Sequence, residues 1–503
     1  MWLSHSERPL KTDELRYALG VEIGSTELNP ENAPSIETVL GCSLGLVTVE
    51  ASSQTVRLIH NTLQQYLSNN TDLFYGPHLK IAQVCLTYLH HPCIGGLSPD
   101  LCWPGLETPL LLGYTSCFWG THIKREIPET VSTLALRLLR GFDAHVSSGV
   151  LFSHGLENWD TGLYRSNTVG FTGLHGAAYF GIVRTAVDLL KTGGWNLDAT
   201  DAGGNTAISW AARKGHGKMV EMLLGREDVT PDIADEDGRT PLLWAAGNGY
   251  DDIVEMLLER EDVSPGAADK DGRTPLSWAA GNGCEGVVKM LLRRRDVTPA
   301  TPDGRGRIPL SWAAESGYEG VVKILLEQGG VAPDTPDAHS VTPLAWAAGN
   351  GCEGVVKMLL GRRDVAPDIP DESGRTPLSW AAGNGHEGIV EMLLEREDVC
   401  PGATDKNGRT PLSLAAERGH PRVAEMLRKW RSSGQDTVMK DSASQRALIQ
   451  ISPKPRSSGA PKRRRLEDQD PIPRSAGSNN PIGRSLAHPS QSSHRPYKRT
   501  KRS

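Results

Sequence analysis

The fold is decided by residues 269–292, which read DKDGRTPLSWAAGNGCEGVVKMLL. Asp269 and Gly272 suit a turn, because an Asp side chain bonds nearby backbone amides and glycine accepts left-handed backbone angles. Thr274 can accept hydrogen bonds from the first free amides of a helix, and the proline after it fits the first helical position. Gly283 ends this short helix, and the apolar residues that follow recur at three- and four-residue spacing. The stretch therefore predicts a unit of turn, helix, turn and helix.

The same pattern recurs along the middle of the chain with a constant step of 34 residues. It repeats a tryptophan, a turn aspartate and a Thr-Pro pair. The tryptophans are Trp210, Trp244, Trp278, Trp312, Trp346 and Trp380, and Leu414 takes the next place. The aspartates are Asp201, Asp235, Asp269, Asp303, Asp337, Asp371 and Asp405. One unit cannot bury the apolar stripe of its second helix alone, so the repeat predicts an array in which stacked neighbours bury it.

These residues resemble the ankyrin repeat, whose pattern runs through D-x-x-G-x-T-P-L-H-x-A-A and then G-H-x-x-V-V-x-L-L-L. The resemblance covers residues 168–430 in eight units. It implies a mainly α fold: an ankyrin-repeat solenoid, preceded by a winged-helix and helical module and followed by a disordered basic tail. The sequence departs from the family pattern in two regular ways. Its period is 34 residues instead of 33, and Ser replaces the motif His in several units. The last unit has Leu414 for Trp and Arg428 where Leu394 stands one repeat earlier, which predicts a polar C-terminal cap.

The resemblance implies a protein partner on the concave face of the array, bound by the positions where ankyrin proteins usually vary. Two such sets recur here. One stands just before the first helix of each unit, and the other stands near the end of that helix. They are Arg239, Arg273, Arg307, Arg375 and Arg409, and Asn248, Asn282, Asn350 and Asn384. A solvated polar edge is the alternative interpretation. The tryptophans stand at an apolar framework position beside an Ala-Ala pair, so we expect packing there, with an aromatic binding ladder as the alternative.

The N-terminal part has no repeat and predicts two smaller modules. Two capped helices precede an alternating hairpin, an order that suggests a winged helix over residues 1–75. Further apolar-striped helices predict a helical linker module over residues 76–165. The predicted elements are helices at 12–21 and 35–44, strands at 46–49 and 55–59, and helices at 60–67, 79–89 and 131–142.

This N-terminal part resembles the segment that follows the ATPase in fungal NACHT-ankyrin proteins, which are NLR-like signalling (STAND) ATPases. The resemblance rests on SERPL at 6–10, VEIGSTE at 21–27, PSIETVLG at 34–41 and VRLIHNTLQQYL at 56–67. It implies that His60 matches a histidine that touches the nucleotide phosphate in that family. The chain contains no G-x-x-x-x-G-K-[ST] loop, however, so the NACHT P-loop domain is absent from it. His60 is then a vestigial sensor or a helix-start histidine, and the chain is expected to be a truncated or divergent member.

No other pattern indicates chemistry. The GCSLG motif at residues 41–45 lacks the strand-then-helix order of a nucleophile elbow, and the eight cysteines show no zinc spacing. We therefore expect no enzyme, no cofactor and no metal site. No apolar stretch is long enough to span a membrane. Residues 1–165 carry 10 Lys+Arg against 16 Asp+Glu, which disfavours nucleic acid as a partner of the winged helix.

The C-terminal tail, residues 431–503, has the opposite charge, with 16 Lys+Arg against 5 Asp+Glu. Its Ser, Pro, Gly and basic composition predicts disorder. The cluster of Lys462, Arg463, Arg464 and Arg465 resembles a nuclear import signal, which would engage an import receptor. A solubilising tail, or one that folds back onto the acidic array, is the alternative. The predicted localisation is nuclear, cytoplasmic or both.

These observations favour a non-enzymatic protein-protein interaction scaffold or sensor whose array binds a protein partner. A second hypothesis keeps the chain as the ligand-sensing fragment of an NLR-like, ATP-driven switch that acts with a separate NACHT protein. A third treats it as a nuclear ankyrin cofactor.

Overall fold

The computed structural model describes residues 1–25, 28–74, 76–97, 111–125, 129–156 and 170–432. The proposed import signal at residues 462–465 lies outside them. Of the helices in the described part, none is long and apolar enough to cross a membrane. The fold is mainly helical, as the repeat pattern predicts.

The N-terminal module is a winged helix with a three-stranded antiparallel sheet in the order β1-β3-β2. The hairpin places Val49 opposite Val56, and Leu10 of the short first strand pairs with the other edge of β3. Ser35 begins a helix by accepting the Thr38 amide at 3.2 Å. The elements are α1 (Trp2–His5), β1 (Leu10–Lys11), α2 (Thr12–Gly20), α3 (Ile36–Cys42), β2 (Val47–Glu50), β3 (Thr55–Leu58) and α4 (Asn61–Asn69). The sequence missed β1 because two residues are too short to show alternation.

A helical module follows and packs directly on the array. Its helices are α5 (Pro77–Leu89), α6 (Pro92–Gly95), α7 (Leu112–Arg125), α8 (Glu129–Arg140) and α9 (Val146–Leu156). α5 contacts α7 and α8, while α7 and α8 contact the first helix of the array. At this joint Gly120 faces the ring of Phe180, and Gly173 faces the Leu139 carbonyl so closely that a side chain at either glycine would collide.

The array consists of eight helix pairs, numbered here as repeats 1 to 8. The inner helices are α10 (Gly173–Phe180), α12 (Ala207–Lys214), α14 (Pro241–Asn248), α16 (Pro275–Gly281), α18 (Pro309–Ser316), α20 (Pro343–Asn350), α22 (Pro377–Asn384) and α24 (Pro411–Glu417). The outer helices are α11 (Val183–Leu190), α13 (Gly217–Leu224), α15 (Asp251–Leu258), α17 (Glu285–Leu292), α19 (Glu319–Glu327), α21 (Glu353–Leu360), α23 (Glu387–Leu394) and α25 (Pro421–Ser432).

Local chemistry sets the bounds of the inner helices. In repeat 4, the Thr274 hydroxyl accepts the Ser277 amide at 3.2 Å and Pro275 opens the helix. Gly283 follows with φ of 75°, the left-handed region that glycine enters without strain. Repeat 5 has Ile308 in place of the capping threonine, and its helix α18 begins without a side-chain cap.

Stacking of successive repeats buries the apolar stripe of each unit. Inner helices contact inner helices of the next repeat, and outer helices contact outer helices. In repeat 4, Val287, Val288 and Leu291 of α17 are completely buried, and so is the Ala-Ala pair of α16. Each unit thus buries its stripe against its neighbours, as a solenoid requires.

A second arginine set, in the linkers, ties neighbouring repeats together on the outer side. Arg294 makes a forked contact with Asp296 and donates to the Leu258 carbonyl of the preceding repeat at 3.0 Å. The equivalent arginines make the same two contacts. They are Arg260, Arg362 and Arg396. Hydrogen bonds donated by the guanidiniums of Arg294 and Arg362 lower the pKa of the Asp296 and Asp364 carboxyls.

Candidate partner-binding edge of the array

Each interior repeat is organised around its turn aspartate. In repeat 4, Oδ1 of Asp269 accepts the backbone amides of Asp271 and Arg273, at 3.0 and 2.8 Å. Its Oδ2 accepts the indole N–H of Trp278 at 2.9 Å. The same indole-to-carboxylate bond recurs from repeat 2 to repeat 7, at 2.7 to 3.2 Å. The aspartate therefore fixes both the turn and the orientation of the tryptophan ring.

The tryptophans are framework residues. Trp210 is completely buried and Trp244 nearly so, whereas Trp278, Trp312 and Trp346 are half-buried. A glycine of the preceding inner helix makes room for the ring. At Gly247 an added Cβ would lie 3.3 Å from the ring of Trp278. The geometry thus agrees with the packing interpretation of the tryptophans.

Four of the five predicted arginines stack on these rings, and Arg409 instead bonds Asp405 in the last repeat. The guanidinium of Arg273 lies 5.4 Å from the Trp278 ring centroid and 4.3 Å from that of Trp312 in the next repeat. Arg307 lies 4.6 Å from Trp312 and 3.9 Å from Trp346. Arg239 likewise contacts the rings of two repeats, and Arg375 contacts Trp380. The alternating rings and guanidiniums form what we call the Arg–Trp ladder.

The Arg–Trp ladder changes how these arginines can act. The sequence places them at partner-binding positions or on a solvated edge, but the four stacked side chains are largely covered by the indoles. The side chains of Arg239 and Arg307 are only 14% and 11% exposed. Burial lowers the pKa of Arg273. Their role in partner binding stays a prediction, whereas Arg239, Arg273 and Arg307 each contact the rings of two neighbouring repeats.

Arg213 belongs to the Arg–Trp ladder and was missed by sequence reasoning. Its guanidinium lies 5.0 Å from the Trp210 ring centroid and 4.4 Å from that of Trp244. Burial lowers the pKa of Arg213 to about 10. It stands at the end of α12, where Gly247 stands in the next repeat, so it falls outside the periodic arginine register. Only its position three residues after a tryptophan could have pointed to it.

The predicted asparagines hold the ends of the inner helices. Asn282 and Asn384 donate to the carbonyls of Gly247 and Gly349 in the preceding repeat, at 2.9 and 2.7 Å. Asn248 and Asn350 instead donate to the tryptophan carbonyl of their own helix, at 2.9 and 3.0 Å. Half of this set therefore bridges repeats and half caps its own helix.

The exposed part of this edge is the row of turn tips, which we call the tip row. A backbone hydrogen bond joins each tip to the next, as from the Lys270 amide to the Asp237 carbonyl at 2.8 Å. The other bonds of this kind measure 2.7 to 2.9 Å along the array. The charged side chains exposed at the tips are Glu236, Asp237, Lys270, Asp271, Arg305, Glu372 and Lys406. The tip row is thus an exposed edge whose tips are joined by backbone hydrogen bonds and which carries both signs of charge.

His60 belongs to the winged helix and stands at the start of α4. Its Nδ1 accepts the Thr62 amide at 3.2 Å and lies 2.7 Å from the Thr62 hydroxyl, and the side chain is exposed. This geometry is that of a helix-start histidine. The sensor role implied by the family resemblance stays a prediction.

Family models match both parts of the chain. One model for ankyrin repeats matches residues 227–303, 297–369 and 363–441, and a second matches residues 174–224. Together they cover more than half of the chain. A model for the winged helix domain of GPI inositol-deacylase matches residues 1–74. No curated protein matches the chain.

Proposed function

The chain belongs to the ankyrin-repeat proteins and carries an N-terminal winged-helix domain of the GPI inositol-deacylase type, and from this we propose that its tip row binds a protein of mixed surface charge. The observation behind the proposal is the tip row itself, which is exposed, joined by backbone hydrogen bonds and charged with both signs. Ankyrin repeats support a protein-interaction scaffold in general, and the partner is the specific part of the proposal.

The charges of the tip row favour a protein over a nucleic acid. Glu236 and Asp237 give one tip two negative charges, whereas Arg305 and Lys406 give their tips positive charge. A polyanion would meet repulsion at every acidic tip, while a protein surface can present opposite charges in the same order. Exposed interface charges act mainly on the rate of association and on its dependence on salt.

A charge reversal tests this proposal. Changing Glu236, Asp237 and Glu372 to Lys should remove proteins that the full chain captures from cell extract, as measured by quantitative mass spectrometry. The matched control changes Glu221, Glu255 and Glu391 to Lys, because these exposed carboxylates lie on outer helices and alter the net charge equally. If the tip variant and this control capture the same proteins as the unchanged chain, the tip row is not the binding edge.

Exposed apolar residues on the winged helix favour a second function. Leu44 is 89% exposed, and Leu46, Ile59, Tyr66 and Leu73 are each about half exposed. A water-exposed apolar set on one small module is typical of a surface that docks on another domain. It supports the hypothesis that the chain acts with a separate NACHT ATPase. Changing Leu44 and Ile59 to Ser should then abolish co-purification with such a protein while leaving capture by the tip row unchanged.

We propose no catalysis by the chain alone. The purified protein should neither hydrolyse ATP nor gain thermal stability from it, whereas a native-state ligand at a hundredfold excess over its Kd stabilises by about 2.7 kcal/mol. A rise in Tm with ATP would contradict this.

Nuclear localisation rests on residues 462–465. Residues 440–503, fused to a fluorescent cargo too large to diffuse, should enter nuclei, and changing Lys462 and the three arginines to Ala should weaken entry. A cytoplasmic fusion would contradict the nuclear hypothesis.

A further inference from the structure

A cluster of metal-ligating side chains lies outside the array, where the winged helix meets the helical module. Glu7 follows α1, His78 stands in the first turn of α5, and His122 lies in α7. One ligand atom from each residue lies within 4.8 Å of the other two. We propose that these three residues bind a divalent transition metal and that Zn²⁺ is the ion that fits them best.

The two imidazoles are arranged as a ligand pair. Nδ1 of His78 lies 2.8 Å from Nδ1 of His122, and the rings stack with their centroids 5.1 Å apart. His122 is completely buried, while Glu7 and His78 are partly buried. The edge of the His5 ring packs on His78, with centroids 5.4 Å apart, which restricts the orientation of that ring.

The far side of His122 has the support that metal-binding histidines usually have. Its Nε2 lies 2.9 Å from the hydroxyl of Tyr114, and the Glu7 amide donates to the same hydroxyl at 3.2 Å. The Tyr114 oxygen can accept from both. A proton on Nε2 of His122 leaves the lone pair of Nδ1 directed toward His78. A histidine that binds metal through one nitrogen and is held by a polar group at the other is the common arrangement.

The donor set identifies the class of ion. Two imidazole nitrogens and one carboxylate oxygen suit Zn²⁺, which binds nitrogen at about 2.0–2.1 Å. Tetrahedral ligands at that distance stand about 3.3 Å apart, so binding moves the two rings apart by about 0.5 Å. Three protein ligands also leave a fourth position open to water or to a partner side chain.

A proton is the competing occupant of the space between the rings. Without metal, one ring donates to the other, and a simple hydrogen-bonded pair would explain the 2.8 Å contact. A proton joins only the two imidazoles, whereas a metal ion binds with a measurable stoichiometry and also joins Glu7. A metal would connect Glu7, which belongs to the winged helix, to helices α5 and α7, and would stabilise that joint.

Metal titration of the whole chain distinguishes a metal site from a simple hydrogen-bonded histidine pair. The protein is stripped with a chelator, and Zn²⁺ binding is measured by calorimetry and by metal analysis after gel filtration. One bound equivalent and a rise in Tm are expected. Replacement by Co²⁺ should give the visible absorption of a nitrogen and oxygen site without a thiolate charge-transfer band. Absence of a bound equivalent, or a thiolate band, would overturn the proposal, the latter because the chain's cysteines would then be the ligands.

Two conservative variants test the named residues. Glu7→Gln keeps the shape of the side chain and should weaken Zn²⁺ binding at least tenfold. Tyr114→Phe keeps the packing but removes the partner of His122, and should weaken binding about 10- to 100-fold. Glu37→Gln, on exposed helix α3, is the matched control and should bind as the unchanged chain does. If Glu7→Gln also binds as tightly as the unchanged chain, these residues are not the site.

Discussion

The interior repeats and the last repeat use the same aspartate in two ways. In repeat 7, Oδ2 of Asp371 accepts the indole N–H of Trp380, and Arg375 lies over that ring. Repeat 8 has Leu414 in place of the tryptophan. There the guanidinium of Arg409 turns to Asp405 and donates to the same oxygen, with Nε at 2.9 Å. In repeat 7 the indole occupies Oδ2 of the turn aspartate, and in repeat 8, which has no indole, the arginine side chain occupies it.

The two repeats together show what the array requires of each unit. The carboxylate that fixes the turn needs a donor at its second oxygen, because a buried charge without one is costly. Interior units supply an indole, and Arg239, Arg273 and Arg307 then also contact the ring of the next repeat. The last unit has no following repeat, and its arginine supplies the donor itself. The sequence position of Arg239, Arg273 and Arg307 therefore acts between repeats, whereas that of Arg409 acts within its own repeat.

The largest expected effect follows from removing an interior ring. Trp278→Ala deletes a ring that binds Asp269 and contacts two arginines, so it should lower the free energy of unfolding by roughly 3–5 kcal/mol. Leu414→Ala in the last repeat should cost about 2 kcal/mol, the low end for a buried leucine, because repeats flank it on one side only. Urea unfolding followed by far-UV circular dichroism measures both. Equal losses would show that the interior ring has no special role.

The next effect concerns the arginines of the Arg–Trp ladder. If they formed only a solvated polar edge, their removal would leave the melting temperature nearly unchanged. The stacking now predicts that Arg273→Ala lowers the free energy of unfolding by about 1–2 kcal/mol, the range of partly desolvated cation–π contacts. Arg305→Ala, an exposed arginine in the next turn, is the control and should stay within about 0.5 kcal/mol. If Arg273→Ala leaves the Tm unchanged, the stacking adds no stability and the arginines form only a solvated edge.

A smaller effect distinguishes the two kinds of asparagine. Asn282→Ala removes a hydrogen bond between repeats and should cost about 1 kcal/mol. Asn248→Ala removes only a bond within its own helix and should cost less. At the last joint Arg418 donates to Gly383 at 3.3 Å and replaces the asparagine. Thermal unfolding of the two variants, side by side, measures the difference; equal Tm values would mean that the bridging bond adds nothing.

The smallest expected effect is local and depends on pH. Hydrogen bonds from the amide and side chain of Arg409 lower the pKa of Asp405, whereas burial raises the pKa of Asp235 in repeat 3. The stability from Asp405 is present above the ordinary Asp pKa and is lost as the pH falls through the lowered value. For Asp235, protonation is easier in the folded state, so acid does not remove stability there.

Hydrogen exchange measures this contrast. On acidification toward pH 3, after correction for intrinsic rates, protection should fall in α24 and persist in α14. Asp405→Asn is the control, and it should remove the pH dependence of α24. Equal loss of protection in both helices would contradict the opposite pKa shifts.

Much of the array could be predicted from the sequence because its determinants are local and periodic. The capping threonine, the proline after it and the left-handed glycine act within a few residues, and the tryptophan beside Ala-Ala indicated packing. The orientation of the Arg273 side chain could not be predicted, because it depends on the Trp312 ring of the next repeat. The Glu7, His78 and His122 cluster was equally hidden, because its members come from three distant segments with no spacing motif.

Two of the repeats share an identical stretch of sequence at the surface that packs on their neighbours, and this affects how the gene of this protein can change. Residues 278–292 and 346–360 both read WAAGNGCEGVVKMLL. Recombination between the two copies would delete or duplicate two whole repeats while joining surfaces that already fit. The end units, with Phe180 against the helical module and Arg409 on Asp405, would stay untouched. The length of the tip row is therefore free to vary between descendants without a new interface having to evolve.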